Sequence, residues 1–464
     1  MPENETIDAL IKRARAAQAQ VSNYSQKAID KVIASIGWEV YNDENIQKLA
    51  ELAVKETGMG NVEDKIKKHK NKILGVLDDT LGKQSVGLIE HDVKNKIRKY
   101  AKPVGVIGAL TPVTNPTATP GSNAVSILKG RNAVIFAPHP RAKKASKLAI
   151  DMMRDGLRKV GAPEDLIQIV KEPSIEKTNE LMQKVDLVMA TGGGAMVKAA
   201  YSSGTPAYGV GPGNAVQIIA EDADIEDMAN KIIPSKAFDY ATSCSSENSV
   251  IVHASIYDDV IKAYERLGSV MIKGEDRKKL EAHMWKANKK GVRAINPAIV
   301  AQSAKKIAAD AGLDVPEDTR VLLVEGDDNI EADFFSQEKL SPVMTVYKYG
   351  DFEEGYEILR RITDNNGTGH SCGIHTFTDH YVQQLGERMN TSRVMVNQGQ
   401  APANGGAFFN GMPSTVSLGC GTWGGNITTE NIHYKHFLNI TWVAEYFEPK
   451  RPLDASIFSI LDEE

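Results

Sequence analysis

The chain has 464 residues, enough for a large core divided among two or three domains. Hydrophobic residues make up 42% and charged residues 25%, the balance of an ordinary globular protein. A net charge of −5 argues against general nucleic-acid binding, and no apolar run reaches membrane-spanning length. Only three Cys occur, at 244, 372 and 420; three cannot pair completely, and so few fit a reducing, cytoplasmic setting. No Cys/His cluster has zinc-ligand spacing, so no metal is expected. The start, Met1-Pro-Glu-Asn-Glu-Thr-Ile7, is acidic and polar, unlike a secretory signal.

Residues 1 to about 93 read as helices. Thr6 to Val21 is amphipathic, with Ile7, Leu10, Ile11 and Ala14 on one face. Such a helix serves some enzymes as a packaging tag for bacterial microcompartments. With no flexible linker after it, a helix packed on its own domain is expected. Strand–helix alternation starts near 103: Val104–Leu110 as strand, Pro120–Lys129 as helix, Ala133–Ala137 as strand, Ala142–Lys159 as helix. Ile167–Val170, Ile175–Lys184 and Asp186–Ala190 continue it as strand, helix and strand. Continuous apolar strands alternating with helices predict a parallel sheet covered on both faces, with ligands at the carboxyl ends of the strands. Strands at Val250–Val252, Arg320–Val324, Val343–Tyr347, Gly373–Thr376 and Val394–Val396 predict a second α/β unit. Helices at Val260–Val270, Ala298–Ala311 and Phe352–Arg361 separate them. Asn397 to Asn426, rich in Gly, Pro, Asn and Ser, reads as a long ordered loop system. Leu438–Ala444 alternates like a strand that could join a neighbouring subunit's sheet.

Five segments could carry chemistry. Cys244 sits in a run of small polar residues, Ala241 to Ser249, just before a β-branched strand. A thiol there is reachable yet rigidly held, and a partly thiolate Cys is a strong nucleophile; a small buried thiol is the alternative. Glu247, three residues on, would raise the thiol pKa if it faced the sulfur, so it is expected to point away or bind backbone. Thr191-Gly-Gly-Gly194 joins a strand to a helix and suits an anion, though a plain turn reads nearly as well. Asn115, between Pro112 and Pro116 on a stiff loop after Thr111, presents a carboxamide for an oxyanion, or makes an Asx turn. Gly209-Val-Gly-Pro-Gly213 reads as a flexible loop. Glu338, with Leu340 beside it ahead of Pro342-Val343, suits a ribose hydroxyl or plain solvation.

In order and interval these segments resemble the aldehyde dehydrogenase superfamily over essentially the whole chain. Asn115 precedes Cys244 by 129 residues, and Glu338 follows it by 94. The resemblance implies two doubly wound α/β domains. Residues 1–236 would bind the nucleotide and carry an oligomerisation hairpin near 95–105, 237–430 would be catalytic, and 431–464 would form a C-terminal arm. It implies catalysis by Cys244 and Asn115, and a nicotinamide nucleotide on Thr111, Pro112, His139, Thr191, Gly192, Gly193, Gly209, Glu338 and Leu340. Hydrolytic members carry a water-activating Glu where this chain has Gly209, 35 residues before Cys244. That departure resembles the CoA-acylating branch, in which a thiol takes the acyl group. Phe136-Ala-Pro-His139-Pro-Arg141 and Leu418-Gly-Cys-Gly-Thr-Trp-Gly-Gly-Asn426 are similar to the aldehyde-dehydrogenase half of bifunctional aldehyde–alcohol dehydrogenases. Asn366-Gly-Thr-Gly-His370-Ser-Cys372 also resembles that branch, with His370 as base or as a loop residue shaping the pocket; Cys372 and Cys420 read as structural.

The resemblance implies NAD, with NADP possible if Arg141 reaches a 2′-phosphate, and coenzyme A as co-substrate. Acetaldehyde is the default substrate. Propionaldehyde, butyraldehyde and sulfoacetaldehyde are alternatives, an anionic one needing an Arg such as Arg293 or Arg393. A hydrolytic enzyme with a displaced base and an inactive shell-associated scaffold are the competing functions. A homodimer or homotetramer is expected, cytoplasmic or within a microcompartment.

Overall fold

The computed structural model describes residues 5–288 and 291–462. Its first four helices are Ile7–Val21, Gln26–Tyr41, Asp43–Thr57 and Val62–Thr80. Each begins where a polar side chain accepts from an orphan amide of the first turn: Thr6, Ser25, Asn42 and Asn61. The first helix buries Ile7, Leu10, Ile11, Ala14, Ala17 and Val21 in the core of its own unit, as its missing linker implied. Arg15 ties it down by a two-pronged bond to Asp186 at 2.8 and 3.0 Å.

The helices do not run to 93. The fourth ends at Thr80, and Gly87–Asp92 is a strand paired antiparallel with Ile97–Pro103. No residue of Gly87–Asp92 is fully buried, so the two-residue apolar alternation that marks a half-buried strand is missing from its sequence. The hairpin therefore spans 87–103 rather than 95–105. Leu438–Ala444 is a strand as expected, adding antiparallel to Ile97–Pro103 from Leu438 opposite Pro103 to Ala444 opposite Ile97.

Two wholly parallel sheets form the body. The first has five strands in the order Ile167–Ile169, Ala133–Pro138, Val106–Thr111, Leu187–Thr191 and Ala207–Val210. Val106–Thr111 and Ala133–Pro138 are buried at every position, which is why they read as continuous apolar runs. The second has seven, in the order Ser269–Ile272, Val321–Glu325, Val343–Tyr349, Glu247–His253, Ala215–Ile219, Cys372–His375 and Val394–Val396. Every neighbouring pair in it is parallel.

Gly209 is not in a flexible loop. It lies inside the strand Ala207–Val210, and the chain crosses to the second sheet between Val210 and Ala215. The crossing precedes the expected division at 236, and the helix Ile225–Ala237 packs on the second sheet. The predicted helix Val260–Val270 also splits. It is helical over Tyr257–Arg266, Gly268 turns at φ +87°, and Ser269–Ile272 is an edge strand. No described helix is long and apolar enough to cross a membrane.

Candidate active site

A cleft of about 1030 Å³ opens between the carboxyl ends of the five-stranded sheet and the turns that lead into the strands of the seven-stranded sheet. Ten of the twelve predicted site residues line it: Cys244, Asn115, His370, Pro112, His139, Thr191, Gly192, Gly193, Glu338 and Leu340. Thr111 and Gly209 do not. Thr111 ends a strand buried at every position and is itself buried behind the lining. At Gly209 a Cβ would stand 2.6 Å from Val197 Cγ1 and 2.8 Å from the Tyr201 ring. Glycine there lets helix and strand pack closely, and any larger side chain meets that wall.

Cys244 sits on the turn ahead of the central strand Glu247–His253. The turn is built on three successive residues with left-handed backbone, Asp239, Tyr240 and Ala241, at φ +49°, +51° and +59°. Such a run of non-glycine residues costs energy and persists only where its surroundings enforce it. Asp239 enforces it. Its buried carboxylate accepts from Lys68 Nζ at 2.6 Å, Lys65 Nζ at 3.2 Å, the Thr242 hydroxyl at 2.7 Å and the Asn61 amide at 3.1 Å. Opposing burial, the two ammonium groups hold this carboxyl below its ordinary pKa.

The Cys244 sulfur lies 3.3 Å from His370 Nε2. The other ring nitrogen, Nδ1, stands 2.9 Å from the Ser371 hydroxyl, to which Asn404 donates at 3.1 Å. With Nδ1–H donating to Ser371, Nε2 faces the sulfur as a lone pair. Burial, with Arg393 adding repulsion, drives the His370 pKa down to about 3, so the imidazole is neutral at physiological pH. The thiol is not the partial thiolate expected. Burial, and then the charge of Glu338, push its pKa up to about 12, against a smaller pull from the Ser245 hydrogen bond. This pair therefore rests as thiol and neutral imidazole, and the sulfur gains its charge only by passing its proton to a base.

The Asn115 carboxamide is oriented by Lys68, whose Nζ donates to its oxygen at 3.0 Å. The oxygen being occupied, the NH₂ remains to donate. Glu338 is the one carboxylate among the described residues of the cleft lining. It accepts from the Gly213 amide, and burial raises its pKa to about 8. Glu247 binds backbone, as expected: it accepts from the Gln400 amide at 2.5 Å and the Ser235 hydroxyl at 2.8 Å. Past Thr191, Gly193 begins the helix Gly194–Tyr201 with no side-chain cap, and a Cβ on Gly193 or Gly194 would touch nothing within 4 Å. Uncapped amides facing open space at a helix start suit a pyrophosphate.

Neither arginine expected for an anionic substrate lines the cleft. Arg293 is paired with Glu281 at 3.1 Å. Arg393 is buried, its guanidinium spent on the His370 carbonyl at 2.8 Å, the Gly419 carbonyl at 2.7 Å and Asn431 at 2.8 Å. It fixes the His370 backbone instead. Arg141 donates to the Thr57 carbonyl at 3.4 Å and also lies outside the lining. The cations in the lining are Lys68, Lys72 and Lys231, which the sequence reading passed over. Lys65, Lys68 and Lys72 lie in a basic stretch of the helix Val62–Thr80 that reads as a solvated face, and only the fold turns them inward. Lys236, also passed over, is buried eight residues before Cys244, and its Nζ has no hydrogen-bond partner among the described residues.

Comparison with known proteins agrees with this geometry. A sulfoacetaldehyde dehydrogenase from Acholeplasma sp is 69% identical over 448 residues, covering 97% of this chain and 92% of the relative. An acylating sulfoacetaldehyde dehydrogenase from Bilophila wadsworthia is 57% identical, covering 96% of each. The crystal structure of an acetylating aldehyde dehydrogenase from Geobacillus thermoglucosidasius superposes with a TM-score of 0.92 at 35% identity, covering 96% of this chain and 98% of the other. Residues 2–432 match the model of the aldehyde dehydrogenase family, and with its cysteine, carboxamide and cleft so arranged this chain belongs to that family.

Proposed function

We propose that the protein is a CoA-acylating aldehyde dehydrogenase whose substrate is sulfoacetaldehyde. The observation that carries the acyl-transfer chemistry is the Cys244–His370 pair at 3.3 Å, in a cleft where the position of a water-activating carboxylate is closed by the packing around Gly209. His370 Nε2 takes the thiol proton as the sulfur bonds to the aldehyde carbon. The Asn115 NH₂ donates to the oxygen as it becomes an oxyanion, its amide held in that sense by Lys68. NAD(P), when bound, supplies the hydride acceptor that oxidises this adduct to a thioester on Cys244. The uncapped helix start at Gly193 and the half-buried Glu338 are the residues that would hold it. His370 gives the proton it took from Cys244 to solvent, and coenzyme A then takes the acyl group: its sulfur bonds to the acyl carbon, the Cys244–acyl bond breaks, and the CoA thiol proton passes by way of His370 back to Cys244. The sum is aldehyde, CoA and NAD(P)⁺ giving acyl-CoA, NAD(P)H and a proton.

The naming of the two relatives favours sulfoacetaldehyde over acetaldehyde, and the cationic cleft agrees. Lys68 has its three N–H bonds directed at Asn115, Asp239 and Thr242. Lys72 donates to the Gly405 and Gly406 carbonyls at 2.7 and 3.0 Å, leaving one N–H without a partner among the described residues. That N–H is the sulfonate anchor in this reading. A kcat/KM for sulfoacetaldehyde well above that for propionaldehyde tests the substrate, and the reverse order rejects it. The five-stranded sheet and its helices form the nucleotide-binding part, and the seven-stranded sheet the catalytic part. Chains pair through the open edge of Leu438–Ala444, where Trp442 is 60% exposed. Light scattering showing a monomer at micromolar concentration would reject that pairing.

A further inference from the structure

We propose that Glu430, His433 and His436 form a binding site for one divalent first-row cation, zinc foremost, outside the Cys244 cleft. Each side chain presents one ligand atom, and the three atoms lie within 4.8 Å of one another. The residues fall three apart on the segment that turns at Tyr434–Phe437 into the C-terminal strand. This spacing matches no common zinc motif, so the sequence reading expected no metal, and the turn is what brings the side chains together.

His436 Nε2 stands 3.1 Å from a Glu430 carboxylate oxygen. Its other nitrogen, Nδ1, lies 3.1 Å from the His433 amide nitrogen and 3.2 Å from the His433 carbonyl oxygen. The ring thus has a backbone partner in either tautomer. With Nδ1–H donating to the carbonyl, Nε2 carries a lone pair held in place by a backbone hydrogen bond, the arrangement metal-binding histidines use. The two imidazoles meet edge to face, with centroids 5.0 Å apart and planes at 80°. Tyr208 packs edge-on against His436 at 5.2 Å and limits its rotation.

Two imidazole nitrogens and one carboxylate oxygen, with a position left for water, suit zinc and not the all-oxygen shells of calcium or magnesium. The cation would act as a clasp. The Glu430 carbonyl accepts from the Gly419 amide at 3.0 Å, and the Ile432 amide donates to Ser417 at 3.0 Å, so this segment is bonded to the loop whose Leu418 lines the cleft. Binding would fix that loop to the root of the C-terminal strand without touching the reacting atoms.

The test is calorimetric titration of the metal-free full chain with zinc chloride, in a Cys244→Ser background so that the reactive thiol supplies no ligand. One zinc per chain is expected. His433→Ala with His436→Ala should weaken binding at least about 100-fold, more than the loss of an outer partner does. Glu430→Gln should weaken it at least about tenfold; Glu430 is 67% exposed by side chain, so this variant keeps the fold. Cobalt(II) bound in place of zinc should show no sulfur-to-metal charge-transfer band. No saturable zinc binding, binding unchanged in either variant, or a sulfur band would each overturn the site.

Discussion

Replacing Lys72 with methionine isolates the charge that selects the substrate. Methionine keeps most of the stem and removes the ammonium, so the local cost is two unpaired carbonyls, those of Gly405 and Gly406. At about 1 kcal/mol for each lost partner, the fold tolerates this. For a sulfonate the loss is larger. A hydrogen bond from a charged donor contributes about 1.5–3 kcal/mol, which is about 10–150-fold in kcat/KM for sulfoacetaldehyde. Propionaldehyde offers the ammonium nothing and should change less than about threefold. The assay is NADH formation at saturating CoA for both aldehydes. Burial, with repulsion from Lys68, lowers the Lys72 pKa to about 8, so parent activity on sulfoacetaldehyde should fall through pH 8 while that on propionaldehyde does not follow it. A sulfonate raises this pKa on binding, so the effect belongs in kcat/KM. An equal fall for both aldehydes in the variant would refute the assignment and return Lys72 to a structural role.

Other consequences can be measured directly. Ala241→Gly relieves one of three successive left-handed residues, and urea unfolding should show about 0.5–1 kcal/mol of added stability after the extra chain entropy of glycine is counted; a loss would mean that Asp239 does not hold the turn in strain. Gly209→Glu should not create a hydrolase. Its Cβ meets Val197 and Tyr201, so about 1–3 kcal/mol of stability is lost with no gain of CoA-free turnover, and such a gain would reject the packing argument. Acid should destabilise the protein below pH 6.5. His69, His370 and His375 are buried with pKa values lowered to about 4, 3 and 4. The unfolded chain takes up their protons near 6.5 and the folded chain does not, so each removes about 1.4 kcal/mol per pH unit between there and its folded pKa. A Tm unchanged from pH 7 to 5 contradicts this.

The sequence disclosed the parallel strands well because burial on both faces makes them continuous apolar runs, as at Ala133–Pro138. It disclosed Leu438–Ala444 by alternation. It concealed Gly87–Asp92, which buries no residue fully, and Ala207–Val210, where glycine serves packing rather than a turn. Cys244, Asn115, His370 and Glu338 were legible because their order and intervals repeat a family pattern. Their protonation was not, since the raised thiol pKa depends on burial that no local motif reports. Lys68 and Lys72 were hidden for a similar reason. On the helix Val62–Thr80 they look like solvent-facing charges, and only contacts with Asn115, Asp239 and the Gly405–Gly406 backbone, distant in sequence, bring them into the cleft. Arg393 was noticed for its charge, yet its contacts make it a support for the His370 backbone.

The central claim is that acyl groups leave Cys244 to a thiol and not to water. It is tested by following NADH from sulfoacetaldehyde with and without CoA, in the parent and in Cys244→Ala. The account predicts many turnovers with CoA, a single burst of about one NADH per active site without it, and neither in the variant. Steady turnover of the parent without CoA would contradict it and show that some group in the cleft activates water after all.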